Sequence, residues 1–530
     1  MSAFLRGAPL VALVVAVGLL VQACAVVGTH KDVARPGAAT PTTPTTAARP
    51  TTAATPAPPA TGRSGTGGPS GTGRPTTRGR TSTLTWSACD DGYECARLRV
   101  PVNYAKPRGP TLSLAIVRHV AAKPDQRIGS LLVNPGGPGG SAIDLVENDP
   151  LSTELTDRFD IVGFDPRGVG RSSPLSCHSH VQEMYDADPR IDGAAERARY
   201  LAVSHAFVDE CRRKYNALLP YLGTLTVARD MDEVRKAIGD DKLTYVGYSY
   251  GTSIGEQYAH LFPTRVRAMV LDGVVDPGLS GIQSATRQAD GFEHALDLFL
   301  QDCSSRASCK LTRSPGKVVD RLIASAETQP IAAPHADRPA TSGVVQLALS
   351  QGLYSPELWP QLESAVADGA RDDGSGLVDL ANAYLQRQPD GSYSDSFEIY
   401  FAVNCLDSAW PRQPDAILAA GEAAGKKDPR LGEGLVNDYV RCALWPAKPQ
   451  PLPKLTAPGS PPIVVISTTA DPATPYASGV AVAKALPKGV LLTNVGDGHT
   501  AFGQGKECVD RPVEHYLLTR TPPRNGLRCS

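Results

Sequence analysis

The stretch from Leu243 to Tyr258 constrains the fold of this chain more than any other. Leu243 to Val246 form a short apolar run of strand character. After Gly251 the apolar residues Ile254, Tyr258, Leu261 and Phe262 recur at helical spacing until Pro263 ends the run. Between the two lies Gly247-Tyr248-Ser249-Tyr250-Gly251, the pattern G-x-S-x-G. A serine on a sharp strand-to-helix turn exposes its Oγ, and the flanking glycines remove Cβ atoms that would clash in such a turn. The N-terminus of the following helix places partial positive charge where an oxyanion would develop. In a chain with 50 glycines the five-residue pattern carries little by itself. The strand before it and the helix after it make Ser249 a candidate nucleophile rather than an ordinary turn residue.

Two later strands are expected at Pro462 to Ser467 and Val490 to Asn494, and each runs into a loop with a polar residue. Asp471 lies in the first loop and His499 in the second. His499 would take the serine proton, and Asp471 would fix the imidazole tautomer and stabilise the imidazolium. The order Ser249, Asp471, His499 is similar to that of α/β-hydrolases. Asp272 and Asp276, one strand earlier, are rival acids. Asp497 is too near His499 in sequence to be favoured, and His515, in a terminal helical segment, is the weaker base.

Upstream, a strand over Ser130 to Asn134 enters the loop Pro135-Gly136-Gly137-Pro138-Gly139-Gly140-Ser141. Pro138 breaks the dinucleotide pattern G-x-G-x-x-G, and no clean helix opens there. Such a loop can instead turn a backbone amide toward a developing oxyanion, with the Tyr250 amide supplying a second donor. Asp165 and Arg167, at the end of a strand over Asp160 to Phe164, are expected to pair and pin a loop behind it. Cys177-His178-Ser179-His180 lacks a carboxylate or further cysteine at ligand spacing, so a disulfide beside exposed histidines accounts for it better than a metal.

Trp86 to Val120 reads as entry strands, with helices around 195 to 215 and 226 to 238 and a strand over Val266 to Leu271. From 278 to 400 amphipathic helical segments dominate: Phe292 to Leu300, Val318 to Ala326, Gly343 to Leu353 and Leu358 to Ala367. The expected fold is α/β, a mostly parallel central sheet with a helical lid inserted before the last strands. Its catalytic domain takes in 86–277 and 401–530, and the lid 278–400.

Residues 1–23 have the form of an export signal, with Arg6 before the apolar run Leu10 to Leu20, too short for a comfortable membrane span. Val21-Gln22-Ala23-Cys24 fits both a lipobox, in which Cys24 is lipidated, and ordinary signal cleavage. Of 11 cysteines, setting Cys24 aside leaves ten, which suits an oxidised exported domain and favours lipidation. Nearness in sequence suggests the pairs 89–95, 177–211, 303–309, 405–442 and 508–529, although sequence does not establish them. The Thr-, Pro- and Ala-rich stretch 24–85 lacks the apolar residues to offset the entropy of ordering and reads as a tether. A formal net charge of −1 implies no nucleic-acid partner, and the membrane enters only through Cys24.

Asn134 to Ser141, Asp165-Pro166-Arg167-Gly168-Val169-Gly170-Arg171-Ser172, Gly247 to Thr252, Asp471-Pro472-Ala473-Thr474-Pro475 and Asp497-Gly498-His499 together resemble one family. It is the exported actinobacterial tripeptidyl aminopeptidase-like α/β-hydrolases, related to proline iminopeptidases and including mycobacterial cell-envelope lipoprotein proteases. The resemblance covers about residues 86 to 529, including Ala402 to Asp407. It implies Ser249, Asp471 and His499 as a triad and the amides of Gly137 and Tyr250 as an oxyanion hole. Pro135 stands where proline iminopeptidases carry histidine, which leaves the backbone role intact. Thr474 would orient the Asp471 loop, and Asp407 is the candidate to hold a substrate ammonium. The implied activity is release of short peptides, tripeptides above all, from free N-termini through an acyl-enzyme, with no metal or cofactor. A carboxylesterase or lipase on the same triad is the alternative, because fold and triad do not choose between amide and ester. An inactive envelope scaffold is the third reading.

Overall fold

A computed structural model describes residues 83–89, 92–148, 151–311 and 314–530. The export signal, Cys24 and nearly all of the tether lie outside them. Ten strands form one sheet: β1 (Ser87–Ala88), β2 (Tyr93–Pro101), β3 (Thr111–His119), β4 (Gly129–Asn134), β5 (Phe159–Phe164), β6 (Leu243–Tyr248), β7 (Val266–Asp272), β8 (Ile463–Ala470), β9 (Gly489–Asp497) and β10 (Leu527–Cys529). Their order is β1-β2-β3-β5-β4-β6-β7-β8-β9-β10. The first three run antiparallel to their neighbours, and β4 to β10 are parallel. β6 is buried at every position, as a central parallel strand covered on both faces must be. One apolar layer on the sheet includes Leu132, Tyr245, Met269 and Val465, and the other includes Val133, Val246, Val270 and Ile466. Alternate side chains of each strand thus supply both cores.

The helices expected before Ser249 form over Ala194–Tyr215 and Thr224–Ile238. The second buries Val227, Met231, Val234 and Ile238 at helical spacing and ends at Gly239, whose φ of 93° suits a left-handed cap. The helical region after β7 is larger than its sequence pattern implied. It runs from Gly281 to Leu444, past the expected boundary at 400. The helix Ser396–Asp407 buries Phe397, Ile399, Phe401, Ala402, Val403 and Cys405, so its apolar residues face several sides and leave little amphipathic period.

Disulfides join Cys89–Cys95, Cys177–Cys211, Cys303–Cys309, Cys405–Cys442 and Cys508–Cys529, the pairs that sequence proximity suggested. Cys405–Cys442 staples two helices of the region after β7, and Cys508–Cys529 ties the last helix to β10. No described helix is long and apolar enough to cross a membrane.

The expected Asp165–Arg167 pair does not form. Asp165 instead accepts from Ser141 Oγ at 2.8 Å and the Arg171 amide at 2.8 Å, pinning the glycine-rich loop. Arg167 forms a two-pronged pair with Asp230, Nε and Nη2 each at 2.6 Å, and both side chains are fully buried. The guanidinium also reaches the Val102, Tyr221 and Pro101 carbonyls. A buried guanidinium is tolerated only when its donors are met this fully. Asp230→Ala is therefore expected to cost about 3–5 kcal/mol of stability by stranding Arg167. Urea unfolding of the oxidised protein measures it.

Candidate active site

Ser249, Asp471, His499 and Asp272 all lie at the C-terminal ends of parallel strands, where open α/β sheets place their sites. At the end of β6 the chain turns through Ser249, with φ 53° and ψ −126°, into the helix Tyr250–Leu261. A positive φ is costly for a residue with a Cβ, and the surroundings hold it in place. The Ser249 amide donates to Asp272 O at 2.8 Å, and Thr252 Oγ donates to Ser249 O at 2.6 Å. A methyl group on Gly251 would stand 2.7 Å from Asn134 O, so this turn can pack on β4 only with glycine there. Ser249 remains half-buried.

The loop after β4 folds against this turn. A Cβ on Gly136 would lie 2.8 Å from both Ser249 Cβ and the Tyr250 nitrogen. The amides of Gly137 and Tyr250 donate to no group among the described residues. Gly136 differs, since its amide is taken by Asn134 Oδ1 at 3.0 Å.

His499 Nδ1 lies 2.9 Å from both carboxylate oxygens of Asp471. Asp471 is itself held by the Ala473 amide at 3.0 Å, the Thr474 amide at 2.8 Å and Thr474 Oγ at 2.9 Å. Thr474 Oγ is also 3.3 Å from His499 Nδ1, so it sits between acid and base. His499 Nε2 is buried and has no partner among the described residues, and no hydrogen bond joins it to Ser249 Oγ. The two loops nonetheless adjoin: Gly273 follows the carbonyl that binds the Ser249 amide, and a Cβ on it would stand 3.0 Å from His499 Cε1. Catalytic hydrogen bonds are often open in a free enzyme and close on substrate.

Asp272, a rival for the acid, has another task. Its Oδ2 accepts from the Ala501 and Phe502 amides at 2.8 and 2.7 Å, fixing the chain just after His499. Burial pushes its carboxyl up to about 7, against the pull of those two amides. Burial also disfavours the His499 imidazolium, but Asp471, its hydrogen bond and then Asp272 outweigh this and raise the imidazole above its ordinary value. Asp276 caps a turn at the Gly278 amide and lies 3.4 Å from Arg287. His515 is exposed on the helix Glu507–Thr519.

Asp407, the group expected to hold a substrate ammonium, has its carboxylate engaged by the protein itself. Its oxygens accept from the Thr224 amide at 3.1 and 3.2 Å and from the Thr224 hydroxyl, capping the helix Thr224–Ile238. Thr224 Oγ in turn shares a 2.7 Å hydrogen bond with the Tyr250 phenol, so Asp407 steadies the residue after Ser249.

The helical region reaches the site at three places. The His499 amide donates to Tyr354 O at 2.8 Å, and the Tyr354 ring meets the imidazole edge-on at 5.5 Å. The Ser396 backbone packs against Gly139 of the glycine-rich loop. Asp438, unremarked in the sequence, stands near Tyr384, Tyr400 and Tyr439; burial raises all three phenols, and the Asp438 charge adds to it. It is 28% exposed and binds Arg441 through Oδ1. Such an acid carries no sequence signal, because Tyr384 and Tyr400 reach it from separate helices.

Among the described residues the only close group of metal-ligand types is Cys303, Cys309 and Glu363, and the disulfide between the two cysteines leaves no thiolate to bind an ion.

A family model described as "alpha/beta hydrolase fold" matches residues 129–315, and one described as "TAP-like protein" matches residues 428–529. Serine protease Hip1 of Mycobacterium tuberculosis is 39% identical over 461 residues, covering 83% of this chain and 87% of that protein. Carboxylesterase B of the same organism is 38% identical over 457 residues, covering 82% and 86%. Tripeptidyl aminopeptidase of Streptomyces lividans is 30% identical over 459 residues, covering 82% and 83%. With relatives this similar over four fifths of its length, the chain belongs to the α/β-hydrolase family, as a serine hydrolase of the TAP-like group.

Proposed function

We propose that this chain is an exported serine peptidase that releases short peptides, tripeptides above all, from free N-termini. Ser249 Oγ attacks the scissile carbonyl while His499 Nε2 takes its proton, and Asp471 stabilises the imidazolium. The oxyanion faces the amides of Gly137 and Tyr250. His499 then returns the proton to the leaving amine, and water resolves the acyl-enzyme by the same steps in reverse. The observation that carries this reading is the Asp471–His499 pair beside a strained, half-buried Ser249. Thr474 acts as the positioning residue of that pair.

A peptide substrate is supported by the relatives named serine protease and tripeptidyl aminopeptidase. Asp438 replaces Asp407 as the group for the substrate ammonium. Aromatic faces beside a carboxylate are a favourable setting for a cation, and Tyr354 spans from this cluster to His499. The relative named carboxylesterase B favours a second reading, ester hydrolysis on the same residues. Five disulfides support export. Anchoring through a lipidated Cys24 belongs to this reading and rests on sequence alone.

The test is kcat/KM for a tripeptide amide with a free N-terminus, the same peptide N-acetylated, and a short p-nitrophenyl ester. A free amine favoured by 100-fold or more, about 2.7 kcal/mol of transition-state binding, is the expected result. Asp438→Asn keeps an acceptor for Arg441 and should remove that preference while sparing the ester. Equal rates with and without the acetyl group, or turnover of the ester alone, would move the assignment to an endopeptidase or esterase.

A further inference from the structure

The sheet has a second site-like feature, at the edge opposite Ser249. A cavity of about 510 Å³ opens where β6, β7, β8 and β9 begin. β6 spans 6 residues, so at about 3.3 Å per residue the cavity lies roughly 20 Å from the nucleophile. Lys242, Arg267, Lys488 and Arg520 line it, and no carboxylate does. None of the four forms an ion pair among the described residues.

Exposed lysines on their own would be an ordinary solvated surface. Two observations set this place apart. Ser460 also lines the cavity, is only 1% exposed, and its hydroxyl has no hydrogen-bond partner among the described residues. A buried hydroxyl left without a partner is costly, and a ligand oxygen would satisfy it. Arg267, in turn, is held rigidly by the Leu517 and Leu518 carbonyls at 2.7 and 3.0 Å. Burial and then the neighbouring Arg520 push its guanidinium down, partly offset by Tyr516 and Asp240. Crowded cations of this kind are relieved by an anion.

We propose that this cavity binds a phosphate- or sulfate-bearing anion, held by Lys242, Arg267, Lys488 and Arg520 with Ser460 as a hydroxyl donor. Its volume exceeds that of a bare oxyanion and leaves room for a phosphate that carries a further group. The ligand is either a free phosphate ester or the headgroup of an anionic lipid. The described chain enters at the same edge, because the Thr83 amide donates to Ala237 O, just before the start of β6. A headgroup bound there would leave Ser249 on the far edge, open to substrate. The proposal does not depend on the peptidase assignment.

Calorimetric titration with glycerol 3-phosphate and with inorganic phosphate tests it, alongside co-sedimentation with phosphatidylglycerol and phosphatidylcholine vesicles. The full chain carrying Cys24→Ser serves throughout, so that no acyl group contributes to vesicle binding. Glycerol 3-phosphate should bind, and Lys488→Gln with Arg520→Gln should weaken it about ten-fold or more. Both side chains are exposed, so the melting temperature should hold. Phosphatidylglycerol binding that the double variant loses identifies a lipid headgroup, whereas binding of the soluble ester alone identifies a free ligand. No binding of any phosphate, or binding that the double variant retains in full, overturns the proposal.

Discussion

Ser249→Ala is expected to lower kcat by about 10⁶-fold, with KM and melting temperature nearly unchanged. The size follows from what the residue supplies. Without Oγ no acyl-enzyme forms, and His499 has no nucleophile to activate, so only the oxyanion amides and binding remain. Stability should hold because Ser249 is half-buried and its contacts here are made by the backbone, to Asp272 O and Thr252 Oγ. The left-handed φ persists in the variant, and alanine carries the same Cβ as serine. A loss of only ten-fold would mean that another group starts the reaction.

Asp471→Asn is expected to lower kcat by about 10⁴-fold. The carboxylate accepts from His499 Nδ1, Thr474 Oγ and two amides, which an aspartate can do with every lone pair. An asparagine in the same place offers an amide NH₂ that opposes the Nδ1–H tautomer, leaving Nε2 protonated and unable to accept from Ser249. The pH profile separates this from misfolding. His499 must be neutral to act as a base, so activity rises with pH through its ionisation. Asp471 and Asp272 hold that ionisation above the ordinary value of about 6.5 in the native protein. Removing the Asp471 charge should move the acid limb of kcat/KM to lower pH, even as the plateau falls. A plateau that falls with an unmoved limb would place Asp471 outside the pair.

Much of this site was legible because its chemistry sits where local patterns are strongest. Leu243 to Val246 and the spacing of Ile254, Tyr258 and Leu261 fix a strand and a helix by periodicity, and Gly247 and Gly251 mark the turn between them. The loops of Asp471 and His499 follow apolar strands for the same reason. Groups whose partners lie far along the chain were not legible. Arg167 finds Asp230 on a helix 63 residues away rather than its neighbour Asp165. Asp407 meets Thr224 across 183 residues, and nothing local to either announces it. The helical region after β7 extends past its amphipathic pattern because helices such as Ser396–Asp407 are buried on several sides, which erases that signal. Asp272 reads from sequence as a rival catalytic acid, and its tie to the Ala501 and Phe502 amides emerges only when β7 and the His499 loop meet.

A Ser249 nucleophile activated by His499 and Asp471 should be singled out by a mechanism-based reagent. Labelling the oxidised protein with a fluorophosphonate, followed by peptide mass spectrometry, tests it most directly. One adduct is expected, on the peptide containing Ser249, lost in Ser249→Ala and strongly slowed in His499→Ala. An adduct on any other residue, or no adduct with a protein that is folded and has its disulfides intact, would contradict it.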